Sequence, residues 1–193
     1  IQGKLEDVLG KMAGEPVEVR GAGRTDAGVH ALGQTADFIV PDQFSPAEVG
    51  EYLNRYLPED IRILKAERAD ERFHSRLKAV SKTYRYVIET GEKKDVFRRK
   101  YVYGLGKALD IAAMKEGAAF LVGEHDFKSF CANKKMKKST VRTIYSIDIE
   151  EKGSNVILTF KGNGFLYHMV RIITGTLIEI GLGKRLPEDM GRI

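Results

Sequence analysis

The sequence predicts an α+β protein of two halves, each with a mostly antiparallel sheet flanked by helices. Two observations predict this class: apolar residues at helical spacing recur along the chain, and segments with alternating apolar residues lie between them. With 193 residues and 42% apolar side chains, the chain can form one large core or two small ones. We expect the boundary around residues 70–79, between an N-terminal α+β domain of residues 1–72 and a C-terminal one of residues 80–193.

The N-terminal half is expected to contain two helices and three short strands. Residues 3–13 have helical spacing, and the capping box Ser45-Pro46-Ala47-Glu48 predicts a second helix that ends at about Tyr56. Short runs of alternating or apolar residues predict strands at residues 16–20, 34–40 and 61–69.

The C-terminal half begins with a long alternating strand, Val80 to Thr90, which places Tyr84 and Tyr86 on the same side. Asp110 is expected to cap a helix that ends near Gly123. The remaining expected elements are a hairpin of residues 140–150 and 155–161, joined by EKGS, and a helix over residues 166–180.

The positive charge of the chain is clustered. The net charge of +5 is modest, but cations are grouped and are interleaved with aromatic residues in RFHSRLKAVSKTYRY, residues 72–86. Basic patches attract nucleic-acid phosphates and aromatic rings stack on unpaired bases, so we expect a polyanionic partner rather than only a solvated charged face. The other two clusters are Lys93, Lys94, Arg98, Arg99 and Lys100, and Lys134, Lys135, Lys137 and Lys138.

Several classes of protein are excluded or disfavoured by composition. No run of 18 apolar residues could form a membrane-spanning helix, and the first residues lack the apolar core of a secretory signal. Cys131 is the only cysteine, which excludes an internal disulfide and a thiolate-rich zinc site. We expect this thiol to be a small buried hydrophobe, and the protein to be cytoplasmic.

The segment GAGRTDAGVHALGQ, residues 21–34, places Arg24 and Asp26 among closely spaced glycines. A dinucleotide-binding loop would need glycine where Asp26 stands, and a carboxylate there would repel a pyrophosphate. A phosphate-binding loop would need Lys-Ser or Lys-Thr after Gly28, where the chain has Val29 and His30. Both phosphate-binding interpretations therefore fail.

Other chemistries of the same segment are also weak. Asp26, His30 and Asp37 are near in sequence but lack the spacing of metal ligands, so no metal site is expected. A glycosidase would need a second carboxylate paired with Asp26. Two interpretations stay open at this point: Asp26 is a nucleophile kept ionised by Arg24, or it only hydrogen-bonds its own turn.

GRTDAGVHALGQ resembles the signature of the TruA family of tRNA pseudouridine synthases. Further segments of the chain match the family in the same order and at similar spacing, so the resemblance covers nearly the whole chain. These segments are FHSR at 73–76, KTYRY at 82–86, the HDF-SF pattern at 125–130 and GNGFLYHMVR at 162–171.

The resemblance implies the pseudouridine-synthase fold, with two α+β halves around a central cleft. It also implies isomerisation of uridine to pseudouridine in the tRNA anticodon stem-loop, at about positions 38 to 40, on a base taken out of its stack. The family uses no cofactor and no metal, and it implies a homodimer that binds tRNA.

The resemblance also implies roles for individual residues. Asp26 corresponds to the catalytic aspartate, Arg171 to its basic partner and Tyr84 to the ring that stacks on the uracil. Arg24 would hold RNA phosphate or the loop. Lesser candidates for contacts with RNA are His30, Phe73, His74 and Arg76, whereas Tyr86 is expected to belong to the core.

The chain also departs from the family pattern. Tyr-Asp-Gly and Gly-Trp-Gln motifs that usually precede the first helix are missing, as are an initiator methionine and the final strand, so we expect both termini to be incomplete. Two other functions are weighed beside the isomerase: an RNA-binding module with an inert loop, and a hydrolase of small nucleosides with an aspartate nucleophile.

Overall fold

The computed structural model describes residues 1–193, which separate into two compact units, Ile1–Ala79 and Val80–Ile193. The expected α+β class is confirmed, since antiparallel pairing dominates the strands and helices pack beside them. None of the helices combines the length and the apolar character that crossing a bilayer requires.

The first unit contains two helices and one small antiparallel ladder. In chain order these elements are α1 (Gln2–Ala13), β1 (Arg20–Gly21), β2 (Ala36–Asp37) and α2 (Pro46–Tyr56). Leu9 of α1 and Leu53 of α2 are fully buried in the core of this unit. The two helices therefore supply much of its apolar packing.

The expected bounds of both helices are confirmed by their caps. Gly14 has φ 77° and ends α1 in the left-handed conformation. At α2, the Glu48 N–H donates to Ser45 Oγ at 3.3 Å and the Ser45 N–H donates to Glu48 Oε2 at 2.8 Å. This is the predicted capping box, with Pro46 at the first helical position.

The prediction of three strands in this half was wrong in their extent. Within 16–20 and 34–40, only Arg20, Ala36 and Asp37 pair, together with Gly21 just beyond the first range, and residues 61–69 form no strand. Val19 is buried as the alternation predicts, but its N–H donates to Glu6 Oε1 at 3.1 Å. Likewise, the Asn54 side chain bonds both the N–H and the carbonyl of Ile63, at 2.8 and 2.9 Å. Side chains of the helices thus occupy backbone groups that a neighbouring strand would otherwise pair.

The second unit is a five-stranded sheet with two helices. The strand order is β4-β3-β7-β6-β5, and only the β3–β4 pair is parallel. In chain order the elements are β3 (Lys82–Glu89), β4 (Tyr103–Gly104), α3 (Ile111–Ala119), β5 (Gly123–Asp126), β6 (Val141–Lys152), β7 (Asn155–Gly162) and α4 (Met169–Gly181), with short 3₁₀ helices at Lys128–Phe130 and Pro187–Arg192.

One face of this sheet forms the core with the helices. Tyr84 of β3 lies opposite Phe160 of β7, and Ile88 lies opposite Val156. Phe160, Ile88 and Val156 are fully buried together with Ile173 of α4. The predicted strand and hairpin are confirmed, because their alternation matches this buried face, although β3 covers only Lys82–Glu89 of 80–90 and β6 extends through Glu151 and Lys152 of the predicted EKGS connection.

The helices of the second unit are shorter than predicted. Asp110 caps α3 through Ala113 N–H at 3.0 Å, as expected, but the helix ends at Ala119, because Gly123, with φ 111°, already begins β5. The last helix begins at Met169 rather than residue 166. His168 has φ 60°, a left-handed conformation that cannot continue a helix from the preceding residues.

Candidate active site

In the first unit, the glycine loop, defined as residues 21–34, is closed at its base. Arg20 and Asp37 face each other in the register of β1 and β2. Beyond that pair, the Ala22 N–H donates to the Thr35 carbonyl at 2.9 Å, and Gln34 Nε2 donates to the Gly23 carbonyl at 2.9 Å. These contacts hold the two ends of the loop together.

Asp26 begins a tight turn within the glycine loop. The Val29 N–H donates to the Asp26 carbonyl at 3.1 Å, and Gly28 at the third position has φ 80°. A positive φ at this position is typical of a type II turn and favours glycine. Asp26 is half-buried, whereas Arg24 and His30 are exposed. The backbone that carries the Asp26 carboxylate is therefore fixed by local geometry.

A polar network links the base of the glycine loop to the segment of residues 73–76. Arg20 Nη2 is 2.5 Å from Asp37 Oδ2, the Ser75 N–H donates to Asp37 Oδ1 at 2.8 Å, and Ser75 Oγ donates to the Arg20 carbonyl at 2.7 Å. Ser75 is buried, and only 10% of the Asp37 side chain is exposed. The FHSR segment therefore contacts the base of the glycine loop through Ser75.

The network also determines the charge of Asp37. Burial favours the neutral carboxyl, but hydrogen bonding by Ser75 and the positive charge of Arg20 outweigh it and hold the pKa of Asp37 below its ordinary value. His74 Nδ1 lies 4.0 Å from Asp37 Oδ1 and accepts the Arg76 N–H at 3.2 Å. A carboxylate therefore persists at the base of the loop at neutral pH.

The other predicted residues of this segment are more exposed. His74 is half-buried beside Asp37, while Phe73 and Arg76 are exposed, Phe73 at 36%. The ion pair at the base of the loop joins Arg20 to Asp37.

In the second unit, Tyr84 is held by aromatic packing. Its ring meets Phe165 edge to face, with centroids 5.1 Å apart and planes at 80°. Both rings are partly buried and pack against the core. Aromatic pairs of this geometry are mutually stabilising, so the position of the Tyr84 ring is well defined within the unit.

Arg171 lies in the first turn of α4, and its side chain is exposed. Burial raises the pKa of Tyr86, the positive charge of Arg171 opposes that rise, and Tyr103 adds to it. Tyr84 and Tyr86 occupy the same face of β3. The positive charge of Arg171 therefore acts on a residue of the face that carries Tyr84, and Tyr86 packs against the core as expected.

In the segment of residues 162–171, Gly162 is required by close packing and His168 stacks on its neighbour. A Cβ at Gly162 would lie 2.7 Å from the Thr143 carbonyl, so only glycine fits there. Asn163 then pairs with Thr143, donating its N–H to the carbonyl and accepting the Thr143 N–H at Oδ1, both at 3.0 Å. His168 stacks on Tyr167 with centroids 3.9 Å apart just before α4. This segment orients the helix that carries Arg171.

The HDF-SF pattern at 125–130 has a structural role. Phe127 and Phe130 are buried, and Asp126 Oδ1 accepts the Lys128 N–H and the Thr140 hydroxyl. Cys131 is buried, as predicted. No three His, Cys, Asp or Glu side chains converge as metal ligands do.

Sequence reasoning missed the residues that position the site. Arg20, Asp37 and Ser75 brace the glycine loop, and Phe165 contacts Tyr84. The sequence held a signal for Arg20 and Asp37, because these opposite charges flank the glycine loop and pair in the register of β1 and β2. Asp37 was considered only as a metal ligand, and no local pattern indicated Ser75 or Phe165.

The chain is similar in sequence to known proteins of one family. A family model described as tRNA pseudouridine synthase matches residues 1–77 and 118–193. A tRNA pseudouridine synthase A of Bacillus sp. (strain KSM-64) is 47% identical over 190 residues, which cover 98% of this chain and 78% of that protein. A tRNA pseudouridine synthase A 2 of Bacillus anthracis is 46% identical, with 100% and 79% covered, and a tRNA pseudouridine synthase A of Brevibacillus brevis is 45% identical, with the same coverage. The chain belongs to the tRNA pseudouridine synthase family.

Proposed function

We propose that the chain isomerises uridine to pseudouridine in the anticodon stem-loop of tRNA, with Asp26 as the catalytic carboxylate. Family membership supports the reaction and the tRNA substrate. The observation that carries the assignment to Asp26 is its turn, closed by Val29 N–H and Gly28, inside a loop braced by the Arg20–Asp37 pair. Such rigidity suits a group that must meet a single carbon atom.

The reaction rearranges bonds without a net change in composition. The N1–C1′ bond of uridine breaks, the base turns, and C5 bonds to C1′ while the C5 hydrogen leaves as a proton and N1 gains one. The Asp26 carboxylate would either attack C1′ or abstract the C2′ proton while the uracil departs. Both routes require an ionised carboxylate, and they remain alternatives.

Tyr84 is proposed to stack on the uracil. Its ring is fixed by Phe165 and by the sheet, so it offers a preorganised flat surface. Stacking tolerates rotation of the detached base better than directed hydrogen bonds do. Arg171 is proposed as the basic partner of the reacting carboxylate, because it is an exposed cation on the tyrosine-bearing side of the second unit.

The remaining predicted site residues are proposed to contact RNA. Arg24 and Arg76 are exposed cations suited to phosphate, and Phe73 is an exposed ring suited to a base. His30 is exposed and His74 half-buried, and each can donate to RNA oxygens. The homodimer and modification of a flipped-out nucleotide at about positions 38 to 40 stay predictions of the resemblance, and the cytoplasmic location stays a prediction from the single cysteine.

The test is label release from tRNA that carries tritium at C5 of uridine. An isomerase releases tritium while all the uracil stays bonded to ribose. A nucleoside hydrolase would release free uracil and would not need folded RNA, and an inert RNA-binding module would bind tRNA and release nothing. We expect tritium release, no free uracil, and strong preference for tRNA over uridine. Free uracil as the product would overturn the proposal.

A further inference from the structure

The turn between β3 and β4 presents an aromatic ring among clustered cations. We call residues 93–100, KKDVFRRK, the cationic turn. Phe97 is 91% exposed, the largest exposed fraction among the large apolar residues of the chain, and its neighbour Val96 is 60% exposed. Exposed apolar side chains cost free energy in water, so two adjacent ones on one turn make it a candidate surface for a partner.

The exposure of Phe97 comes from an ordered turn. Asp95 Oδ1 accepts the N–H groups of Phe97 and Arg98 at 2.9 and 3.3 Å. The Arg98 carbonyl in turn accepts the Tyr101 N–H at 2.8 Å. At the root of the turn, the Asp95 N–H donates to Glu89 Oε2 at 3.2 Å, and Glu89 is only 8% exposed. These hydrogen bonds fix the backbone of the turn, and the Phe97 ring points into solvent.

The charges of the cationic turn favour a polyanion. The ion pairs Lys152–Glu150, Arg185–Glu179 and Arg192–Asp189 lie outside the turn. Within it, Arg98 and Arg99 donate to neutral oxygens, those of Asn155 Oδ1 and the Val96 carbonyl, at 3.5 and 3.3 Å. A second copy of the chain, packed symmetrically on this surface, would place like charges against each other. RNA, in contrast, offers both phosphates for the cations and unpaired bases for the ring. The positive side chains of the turn are Lys93, Lys94, Arg98, Arg99 and Lys100.

The turn lies at the far end of the strand that carries Tyr84. Glu89, the last residue of β3, is five positions after Tyr84, which corresponds to about 17 Å of extended chain at roughly 3.3 Å per residue. That length corresponds to about five base steps of a nucleic-acid helix. A nucleotide at the cationic turn is therefore a different one from the uridine at Tyr84.

We propose that the cationic turn is a second contact for tRNA, with the Phe97 ring stacked on an unpaired base and Lys100 and its neighbours on the flanking phosphates. The inference rests on tRNA being the substrate. It differs from the proposed chemistry because it concerns affinity for a remote part of the same RNA.

The experiment measures the Kd of the 193-residue chain for full-length tRNA over a series of salt concentrations. Phe97→Ala removes the ring and Phe97→Tyr keeps it, whereas Lys100→Gln removes one charge and Lys4→Gln removes an exposed lysine of α1 as its control. We expect Phe97→Ala to bind about tenfold more weakly and Phe97→Tyr to bind within about twofold of the original chain. Lys100→Gln should lower the slope of log K against log salt by about one, and Lys4→Gln should leave it unchanged.

Two further measurements separate the outcomes. Single-turnover tritium release at saturating protein should change less than about twofold in Phe97→Ala, since the ring acts on binding. Equal tRNA affinity of Phe97→Ala and the original chain would overturn the inference. So would sedimentation in which Phe97→Ala abolishes a dimer but leaves tRNA affinity per protomer intact, because the surface would then join two copies. If the original chain binds tRNA but releases no tritium, the proposed chemistry fails while the Kd comparison still decides this inference.

Discussion

In the first unit, Asp26 lies on a loop whose base is held by an ion pair and hydrogen bonds, whereas in the second unit Tyr84 lies on an eight-residue strand against a large core. The first core has six buried apolar residues and the second nineteen. Polar contacts contribute little net stability but are directional, while apolar packing contributes stability without much direction. The glycine loop that carries Asp26 therefore depends on directional polar contacts, whereas the Tyr84 ring depends on apolar packing.

The largest effect is expected from Asp37→Ala, which leaves the Arg20 guanidinium and the Ser75 N–H without their acceptor. We expect the free energy of unfolding to fall by about 1–3 kcal/mol, because the N–H of buried Ser75 loses its acceptor and the partly exposed Arg20 loses its ion pair, and turnover to fall as the loop loosens. Urea unfolding and tritium release measure the two effects.

The matched control is Asp42→Ala, which breaks the ion pair between Arg68 and Asp42. Both of those side chains are mostly exposed, at 65% and 95%. Exposed pairs contribute about 0–1 kcal/mol, so this variant should unfold and turn over almost like the original chain. Equal effects of Asp37→Ala and Asp42→Ala would show that the network does not support the loop.

A smaller effect is expected from Gly28→Ala, because Gly28 has φ 80° in the turn that carries Asp26. An alanine in this conformation should cost about 1–2 kcal/mol and slow turnover. Gly175→Ala in α4 is the counterpart in the second unit, since a Cβ there meets no atom within 4 Å. That change should stabilise the chain by up to about 1 kcal/mol without slowing turnover. Thermal unfolding and tritium release of both variants test this contrast, and faster turnover of Gly28→Ala would contradict it.

The smallest effects on the free energy of unfolding are expected from changes in pH. Acid should act on the first unit through Asp37, and alkali on the second unit through Tyr86. The pKa of Asp37 is lowered from 3.8 in the folded chain, so its ionised form stabilises the first unit above that value. This stabilisation is lost as the pH falls through the folded-state pKa. Asp37→Asn should therefore flatten the acid limb of a plot of unfolding free energy against pH. An acid limb unchanged by this substitution would contradict the assignment.

The alkaline limb should depend on the second unit. The pKa of Tyr86 is raised from 10.0, mainly by burial, so its neutral form stabilises the fold below pH 10.0 and the contribution is lost as the pH rises through the folded-state pKa. Tyr86→Phe removes this group and should reduce the alkaline loss while leaving the acid limb unchanged. Unfolding curves at a series of alkaline pH values measure the difference.

Local patterns predicted much of the second unit and less of the first. The strand at 82–89 and the hairpin of β6 and β7 follow from alternation, because their side chains face one continuous core. The same alternation around Val19 predicted its burial but not its pairing, which the Glu6 carboxylate takes over. A pattern of side chains shows which face is buried, whereas the partner of a backbone N–H depends on the tertiary fold.

The candidate site shows the same limit. The glycines around Asp26 indicated a tight loop, and the structure shows why Gly28 is needed. Ser75, in contrast, reaches the loop from 38 positions beyond Asp37, and no local pattern shows that contact. The left-handed His168, which delays the start of α4, is a non-glycine residue in a conformation that composition does not predict.

The most direct test of the account compares Asp26→Asn with the original chain at equal occupancy by tritium-labelled tRNA. Asparagine keeps the size of the side chain but cannot supply a carboxylate to the sugar. The account predicts that Asp26→Asn binds tRNA with nearly unchanged Kd and releases no tritium above background. Release at the original rate from the bound Asp26→Asn complex would contradict it.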